Sequence, residues 1–283
     1  MVCGLALALA ACGGDDAPAG SAETRDKGSM ILASTTSTQD SGLFEALIPA
    51  FEKSSGCKVQ TVAVGSGQAI EMGERGEADA VFAHSPAAEG KLMETGVAGD
   101  RTLVMHNDFV IIGPEDDPAG IEGDTAVEAL RKIAEQKARF VSRGDDSGTH
   151  TAELATWEKA GVEPQGSWYQ ETGQGMGATL AVAAERGAYT LADRGTYLAN
   201  EQAGELPILV DGGEGLLNFY HVIDINKEAG KRVNAECGDA FAEWVVADEA
   251  QTIIGALGRE EFGQSLFTPD AGKTVEELDP GAA

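Results

Sequence analysis

Short apolar strand candidates alternate with amphipathic helix candidates along this chain, and the alternation limits the possible folds more than any other feature. In the first part of the sequence, strand, helix, strand, helix and strand follow one another at residues 30–33, 42–53, 59–64, 68–75 and 80–83. Apolar residues at helical spacing predict the helices, and β-branched or continuous apolar runs predict the strands. Strands joined by helices run parallel through right-handed crossovers, so the sequence predicts an α/β fold.

The same alternation continues through the rest of the chain. Further strands are predicted at residues 103–105, 109–112, 139–141, 168–169, 189–191, 208–210 and 216–225. Further helices are predicted at residues 125–137, from the turn at 142–150 to residue 160, from the turn at 173–177 to residue 185, at 236–244 and at 248–257. The polar tail from Asp270 onward is predicted to be loose.

One local device recurs four times: a strand, a turn rich in Gly, Ser and Thr, and then a helix, at residues 31–44, 59–75, 139–155 and 168–185. The first turn of a helix leaves backbone N–H groups unpaired, and the helix dipole adds partial positive charge there. Each turn alone is also an ordinary helix cap. Because ligands collect at the carboxyl ends of parallel strands, the four turns together predict an oxyanion site.

The turn at residues 142–149, S-R-G-D-D-S-G-T, carries the most chemistry. Arg143 can supply a charged, forked donor, and the Ser-Gly-Thr sequence that follows can open a helix with hydroxyls and amides. Asp145 and Asp146 can orient the arginine or cap the helix. The alternative is an ordinary surface salt bridge beside a helix cap.

Composition excludes one class of partner. The chain has 47 acidic and 20 basic residues, a formal net charge of −27, and only 6% aromatic residues. Phosphate contacts need clustered Lys and Arg, and base stacking needs aromatic surfaces. We therefore expect no binding to nucleic acid or to an anionic membrane surface.

No sequence motif favours catalysis, nucleotide binding or metal binding. The glycines at 173, 175 and 177 lack the G-x-G-x-x-G spacing, and the chain has no G-x-S-x-G elbow. His150 lies near Ser147 and Asp146, but such close neighbours in sequence rarely converge as a catalytic triad. No Cys or His spacing indicates a metal site, so we expect a protein that is not an enzyme and has no cofactor.

The N-terminus predicts export. Residues 1–11 form an apolar segment that is too short to span a membrane and resembles a secretory signal peptide, although no basic region precedes it. It ends in L-A-A-C, the pattern of bacterial lipoprotein processing, which makes Cys12 the lipidation site. Residues 12–29 predict a flexible tether. Of the remaining cysteines, Cys57 and Cys237 can form a disulfide or remain two buried thiols.

Several stretches together resemble the extracytoplasmic tungstate-binding proteins of bacterial ABC importers. They are S-T-T-S-T-Q-D-S-G-L at 34–43, V-G-S-G-Q-A at 64–69, N-D-F-V-I-I-G-P at 107–114, F-V-S-R-G-D-D-S-G-T-H at 140–150, E-T-G-Q-G-M-G-A-T-L at 171–180 and A-Y-T-L-A-D-R-G-T-Y-L at 188–198. The resemblance spans roughly residues 31–268. Ser34 stands where the family commonly has a threonine, so the hydroxyl is kept.

The resemblance implies a two-lobed periplasmic-binding-protein fold of type II, with chain crossings near 108–112 and 216–222. Lobe 1 would comprise residues 30–108 and 220–283, and lobe 2 residues 109–219. Both Cys57 and Cys237 would then lie in the first lobe. The implied anion contacts are Ser34, Thr35, Thr36, Ser66, Gly67, Arg143, Ser147, Gly148 and Thr149.

The resemblance also implies a function: capture of tungstate between the lobes and delivery to the permease of an ABC importer. We expect an extracytoplasmic monomer that is attached to the membrane only through its lipid. Receptors for molybdate, vanadate or phosphate are alternatives, and Asp145 or Asp146 could accept the proton of hydrogen phosphate. An extracytoplasmic phosphatase or sulfatase that uses the same anion cradle is the alternative from another class, and a sensing module that serves a separate signalling partner is a third.

Overall fold

A computed structural model of the chain describes residues 27–200, 206–213 and 215–279. The strands are β1 (Gly28–Thr35), β2 (Cys57–Val64), β3 (Ala80–Ala83), β4 (Ala98–Ile112), β5 (Phe140–Ser142), β6 (Tyr169–Glu171), β7 (Thr190–Asp193), β8 (Ile208–Val210), β9 (Leu217–Ile225) and β10 (Thr268–Pro269). The helices are α1 (Thr36–Asp40), α2 (Leu43–Ser55), α3 (Ser66–Glu74), α4 (Pro86–Glu94), α5 (Ala126–Gln136), α6 (Gly148–Lys159), α7 (Met176–Arg186), α8 (Arg194–Ala199), α9 (Ala235–Val245), α10 (Asp248–Ala256), α11 (Arg259–Phe262) and α12 (Val275–Leu278).

The α/β fold predicted from the sequence is confirmed. β1 pairs in parallel with both β2 and β3, as expected for strands joined by helices. The sheet then becomes mixed, because β9 runs antiparallel to β3 and to β4, giving the order β10-β4-β9-β3-β1-β2. A second, smaller parallel pair joins β5 to β6.

The prediction of two separate strands at 103–105 and 109–112 is wrong, because β4 is one continuous strand of 15 residues. The polar residues between those runs indicated a break, but Asn107 is buried inside the strand. Asp108 is paired with Arg194 rather than placed in a turn. The first part of β4 pairs with β9, and its last four residues pair with β7.

Among the described residues, buried hydrophobic side chains form four clusters, which separate into two halves of the molecule. Two clusters draw on residues 30–105 and 220–267, and we call the part that they fill lobe 1. The other two draw on residues 109–216 and fill lobe 2. The chain passes between the halves along β4 and β9, so both crossings are strands of one sheet.

Cys57 and Cys237 form a disulfide in lobe 1, with an S–S distance of 2.01 Å. Of the two alternatives left open by the sequence, the structure has the disulfide rather than two free thiols. The bond joins the start of β2 to the first turn of α9, which are 180 residues apart in sequence.

The two ends of the described chain differ from the sequence prediction. The segment predicted as a tether to residue 29 overlaps β1, which begins at Gly28. The tail predicted to be loose begins with the fully buried Asp270, whose carboxylate pairs with His106 at 2.5 Å and with Lys273 at 2.9 Å. The predicted signal segment 1–11 and Cys12 lie outside the described residues. Within the described ranges, no helix has the length and apolarity to cross a lipid bilayer.

Candidate functional site

The four Gly/Ser/Thr-rich turns converge between the two lobes. In lobe 1 they connect β1 to α1 and β2 to α3; in lobe 2 they connect β5 to α6 and lead from β6 to α7. The Gly148 N–H at the start of α6 donates to Ser66 Oγ at the start of α3, at 3.0 Å. A Cβ placed on Gly175 would lie 3.2 Å from Thr36 Oγ1, so α7 also closely approaches α1. Residues from all four turns therefore lie where the two lobes meet.

The first turn divides its hydroxyls between structural and cleft-facing roles. Ser34 is fully buried, and its Oγ donates to the Phe82 carbonyl at 2.7 Å, so this hydroxyl holds β1 to β3. Thr35 caps α1 by accepting from the Thr38 N–H at 3.3 Å. Thr36 lines the open cleft and accepts a long hydrogen bond, 3.4 Å, from Arg143 of the opposite lobe.

The second turn contributes Ser66 and Gly67 from lobe 1. Ser66 is fully buried, and its hydroxyl meets lobe 2 through the bond from Gly148. Gly67 lines the open part of the cleft, and a Cβ there would meet nothing within 4 Å. The α3 N-terminus therefore presents both a hydroxyl and an accessible backbone to the crevice.

Arg143 is the buried cation of the site, with 2% of its side chain exposed. Its Nη2 donates to Asp145 Oδ2 at 2.6 Å, which fixes the orientation of the guanidinium plane. Its Nε and Nη1 are buried without a hydrogen-bond partner among the described residues. Buried donors are seldom left unpaired, so these two nitrogens mark where a further acceptor fits.

The turn that opens α6 supplies further donors. Ser147 caps the helix, because its Oγ accepts from the His150 N–H at 3.2 Å. Thr149 Oγ1 is buried and has no partner within the described part of the chain. Gly148 lies so close to His84 that a Cβ would stand 2.5 Å from the His84 carbonyl oxygen. Only glycine allows α6 to approach lobe 1 this closely.

The catalytic alternative for Ser147, Asp146 and His150 lacks the geometry of a nucleophile and base. The His150 Nδ1 accepts from the Asp146 backbone N–H at 3.1 Å, whereas the Asp146 side chain is fully exposed. Ser147 Oγ bonds to the backbone of His150 rather than to its ring. A nucleophile needs a side-chain base within hydrogen-bond reach, and this trio does not provide one.

Sequence reasoning missed His84 as a member of the site. Its Nε2 lies 3.2 Å from both Thr35 Oγ1 and Ser37 Oγ, and its ring stacks on Tyr220 with centroids 4.7 Å apart. Burial lowers the pKa of His84, so the ring is neutral at pH 7. One signal could have found it, because His84 directly follows β3 at the same sheet edge as the first two turns.

Two carboxyl groups near the site have raised pKa values because of burial. The pKa of Asp40, at the end of α1, is raised by burial against the opposing effect of Arg143. Burial raises the pKa of Glu153, on α6, to about 7. Trp157 Nε1 and Tyr169 Oη donate to Glu153 Oε1 at 3.0 and 2.9 Å, so this carboxyl is held inside lobe 2.

The cleft in front of these groups has a volume of about 650 Å³ and is lined by both lobes. Its glycines, Gly65, Gly67, Gly173 and Gly175, expose backbone, whereas Glu71, Asp145 and Asp146 make it acidic. The crevice thus combines an acidic opening with buried N–H and O–H donors. Such an arrangement suits a small acceptor that is held at short range.

Comparison with known proteins identifies the family to which this chain is similar. Residues 17–249 match the PBP superfamily domain. The tungstate-binding protein TupA of Peptoclostridium acidaminophilum is 48% identical over 273 residues, which cover 95% of this chain and 96% of that protein. A crystal structure described as the tungstate ABC transporter from Geobacter sulfurreducens shares 46% identity with a TM-score of 0.74, over 80% of this chain and 97% of that one. The tungstate-binding protein TupA from Desulfovibrio alaskensis G20 shares 42% identity with a TM-score of 0.72, over 86% and 99%.

Proposed function

This chain belongs to the PBP superfamily and, within it, to the family of its tungstate-binding relatives, and from that membership we propose that it captures tungstate for an ABC importer. The observation that carries the proposal is a set of buried donors, Arg143 Nε, Arg143 Nη1 and Thr149 Oγ1, that have no partner among the described residues. They belong to the turn that meets Thr36 and Ser66 of the opposite lobe. Tungstate is a tetrahedral dianion that accepts hydrogen bonds and donates none. A cage made of donors is complementary to it.

The proposed contacts come from both lobes. Lobe 1 supplies Thr35, Thr36 and the start of α3 at Ser66 and Gly67, and lobe 2 supplies Arg143 and the start of α6 at Ser147, Gly148 and Thr149. Ser34 supports the first turn, because its hydroxyl donates a hydrogen bond to the Phe82 carbonyl and so holds β1 to β3. A ligand held from both sides favours the closed arrangement of the lobes, so binding shifts the hinge equilibrium.

The lobe boundaries in this proposal are residues 30–108 with 220–283 for lobe 1 and residues 109–219 for lobe 2. The division of the hydrophobic clusters between residues 30–105 with 220–267 and residues 109–216 supports them. The closed protein would dock on the permease as a monomer. It would act by binding alone, without catalysis or a cofactor, as the names of its relatives suggest.

The proposed location is extracytoplasmic. Substrate-binding proteins of ABC importers work outside the cytoplasmic membrane, and the disulfide between Cys57 and Cys237 suits an oxidising compartment. Removal of a signal segment before Cys12 and acylation of its thiol would attach the protein to the membrane. Metabolic labelling with a fatty acid, compared between the full chain and a Cys12→Ser variant, tests the anchor directly.

Calorimetric titration of the mature protein with tungstate, molybdate, vanadate and phosphate tests the ligand. We expect tungstate to bind most tightly, with one anion per chain. Asp145 already accepts from Arg143 and from the Ser147 N–H, whereas Asp146 has an exposed side chain in the cleft lining. The phosphate titration therefore tests whether Asp146 accepts the proton of hydrogen phosphate. Tight phosphate binding without a response to tungstate would overturn the proposal, and turnover of a chromogenic phosphate ester would revive the hydrolase alternative.

A further inference from the structure

A continuous chain of buried side-chain hydrogen bonds runs from lobe 2 through both crossing strands to the first turn. It starts at Asp193, at the end of β7, and passes through Asn107 of β4 and Asn218 of β9. It then reaches His84 at the end of β3. Asn107 and Asn218 are direct cross-strand partners in the β4–β9 pair. The hydrogen-bond chain therefore passes from one crossing strand to the other at a single register position.

The donor and acceptor roles along this chain are fixed from its Asp193 end. Asp193 Oδ1 accepts from the Thr196 backbone N–H at 2.8 Å, and a carboxylate oxygen can only accept. Asn107 must therefore turn its Nδ2 toward that oxygen, at 3.3 Å, which leaves its Oδ1 for Asn218. Asn218 Nδ2 donates to this oxygen at 2.8 Å.

The orientation of the Asn218 amide determines which nitrogen of the His84 ring carries the proton. With its Nδ2 used, Asn218 presents Oδ1 to His84 Nδ1 at 2.9 Å, so Nδ1 carries the proton. In the neutral ring, Nε2 is then an acceptor. It lies 3.2 Å from both Thr35 Oγ1 and Ser37 Oγ, so one of these hydroxyls must donate to it.

We propose that Asp193 is a positioning residue for the anion site, which it orients through Asn107, Asn218 and the Nδ1-protonated tautomer of His84. This hydrogen-bond chain anchors the start of α1, where Thr36 lines the cleft. Since Asp193 belongs to lobe 2 and the first turn to lobe 1, the anchor is complete only when both crossing strands hold their present geometry. Thr196 Oγ1, which donates to the Ser37 carbonyl at 3.2 Å, closes the loop between the lobes.

This inference rests on the proposed anion-binding function, but its first test does not. Nitrogen-15 NMR of the histidine rings in anion-free protein at pH 7 reports the tautomer of each ring. A His84→Gln variant identifies the signals of this residue. We expect a neutral ring with the proton on Nδ1. A ring protonated on Nε2, or on both nitrogens, would overturn the proposal whether or not tungstate binds.

The second test interrupts the chain with Asn107→Leu, which has nearly the same size and cannot relay a hydrogen bond. We expect a mixture of His84 tautomers and about a tenfold loss of tungstate affinity by calorimetry, the effect of about one hydrogen bond. Asn226→Leu is the matched control. Asn226 follows β9 and donates to the Ala98 carbonyl of β4 at 2.9 Å, away from the first turn. We expect that variant to keep the tautomer and the affinity.

The His84 tautomer and the tungstate affinity of Asn107→Leu together decide whether the proposal holds. A shifted tautomer with reduced affinity supports the proposal. An unchanged affinity would show that the hydrogen-bond chain does not position the site. A reduced affinity with an unchanged tautomer would show that Asn107 acts only through packing. Either result rejects the proposal. If Asn107→Leu does not fold, the tautomer in the unmodified protein still decides. A wild-type protein that does not bind tungstate contradicts the proposed function alone.

Discussion

Replacing Gly148 by alanine should prevent the lobes from closing. The added Cβ would stand 2.5 Å from the His84 carbonyl oxygen and 2.7 Å from His84 Nδ1. Neither neighbour can yield easily, because the ring is bonded to Asn218 and stacked on Tyr220. Relief of the contact therefore requires α6 to withdraw from lobe 1 by about 1 Å.

The magnitude follows from two losses in the closed form. Overpacking of a tight contact costs about 1–3 kcal/mol, and a shift of that size also breaks the 3.0 Å bond from Gly148 to Ser66, which contributes about 1 kcal/mol. Both losses arise only where the lobes meet, so an open form avoids them. We expect tungstate affinity to fall by about 30- to 1,000-fold, while the melting temperature without anion changes little.

Calorimetry gives the affinity, and small-angle X-ray scattering with and without tungstate reports closure. Gly90→Ala is the matched control, since this exposed glycine lies within α4 and its Cβ would meet nothing within 4 Å. It should bind as the wild type does and be slightly more stable, because alanine favours a helix. Wild-type affinity and full closure in Gly148→Ala would refute the reasoning.

Three further predictions concern charge, pH and the disulfide. Arg143→Ala should weaken tungstate binding by about 2–5 kcal/mol in calorimetry, whereas loss of the exposed Arg139 should leave it unchanged. Because the pKa of Glu153 rises on folding to about 7, stability should fall as pH increases from about 4.5 through 7, by about 3 kcal/mol in total. Between pH 5 and 8 the free energy of unfolding in urea should fall by about 2–3 kcal/mol more in the wild type and in Glu158→Gln than in Glu153→Gln, because the lowered pKa of His84 acts in the opposite direction in all three proteins. An equal pH dependence in all three would contradict this assignment. Cys57→Ser should lower the free energy of unfolding in urea by up to about 5 kcal/mol, since the disulfide closes a 180-residue loop, and an unchanged midpoint would contradict that entropic account.

The elements that carry the site could be predicted because their signals are local. β1 and β5 contain short apolar runs and β2 alternates with β-branched residues, and each is followed by a Gly/Ser/Thr-rich turn within a few residues. Parallel strands place such turns at one sheet edge, which is why the starts of α1 and α3 could be assigned to the same edge without any long-range information. The Arg143 stretch was predictable for the same reason, from residue types that suit an anion.

The features that could not be predicted depend on contacts between distant parts of the chain. His84 and Asn218 are 134 residues apart, and Asn107 and Asp193 are 86 apart. A polar residue such as Asn107 within an apolar run indicates a turn when the sequence is considered alone, because its buried partner cannot be seen. The continuity of β4 and the hydrogen-bond chain across the hinge were missed for this one reason.

The charge of the protein restricts how the site can work. A chain with a net charge of −27 repels a dianion at long range, and Glu71, Asp145 and Asp146 line the cleft itself. Arg143 offsets only part of this, because one of its nitrogens is paired with Asp145. The attraction must therefore come from oriented N–H and O–H groups within hydrogen-bond distance, where the acidic surface is screened and geometry dominates. Selectivity then depends on how rigidly those groups are held, which explains why the turns are backed by buried hydrogen bonds such as those of Ser34 and His84.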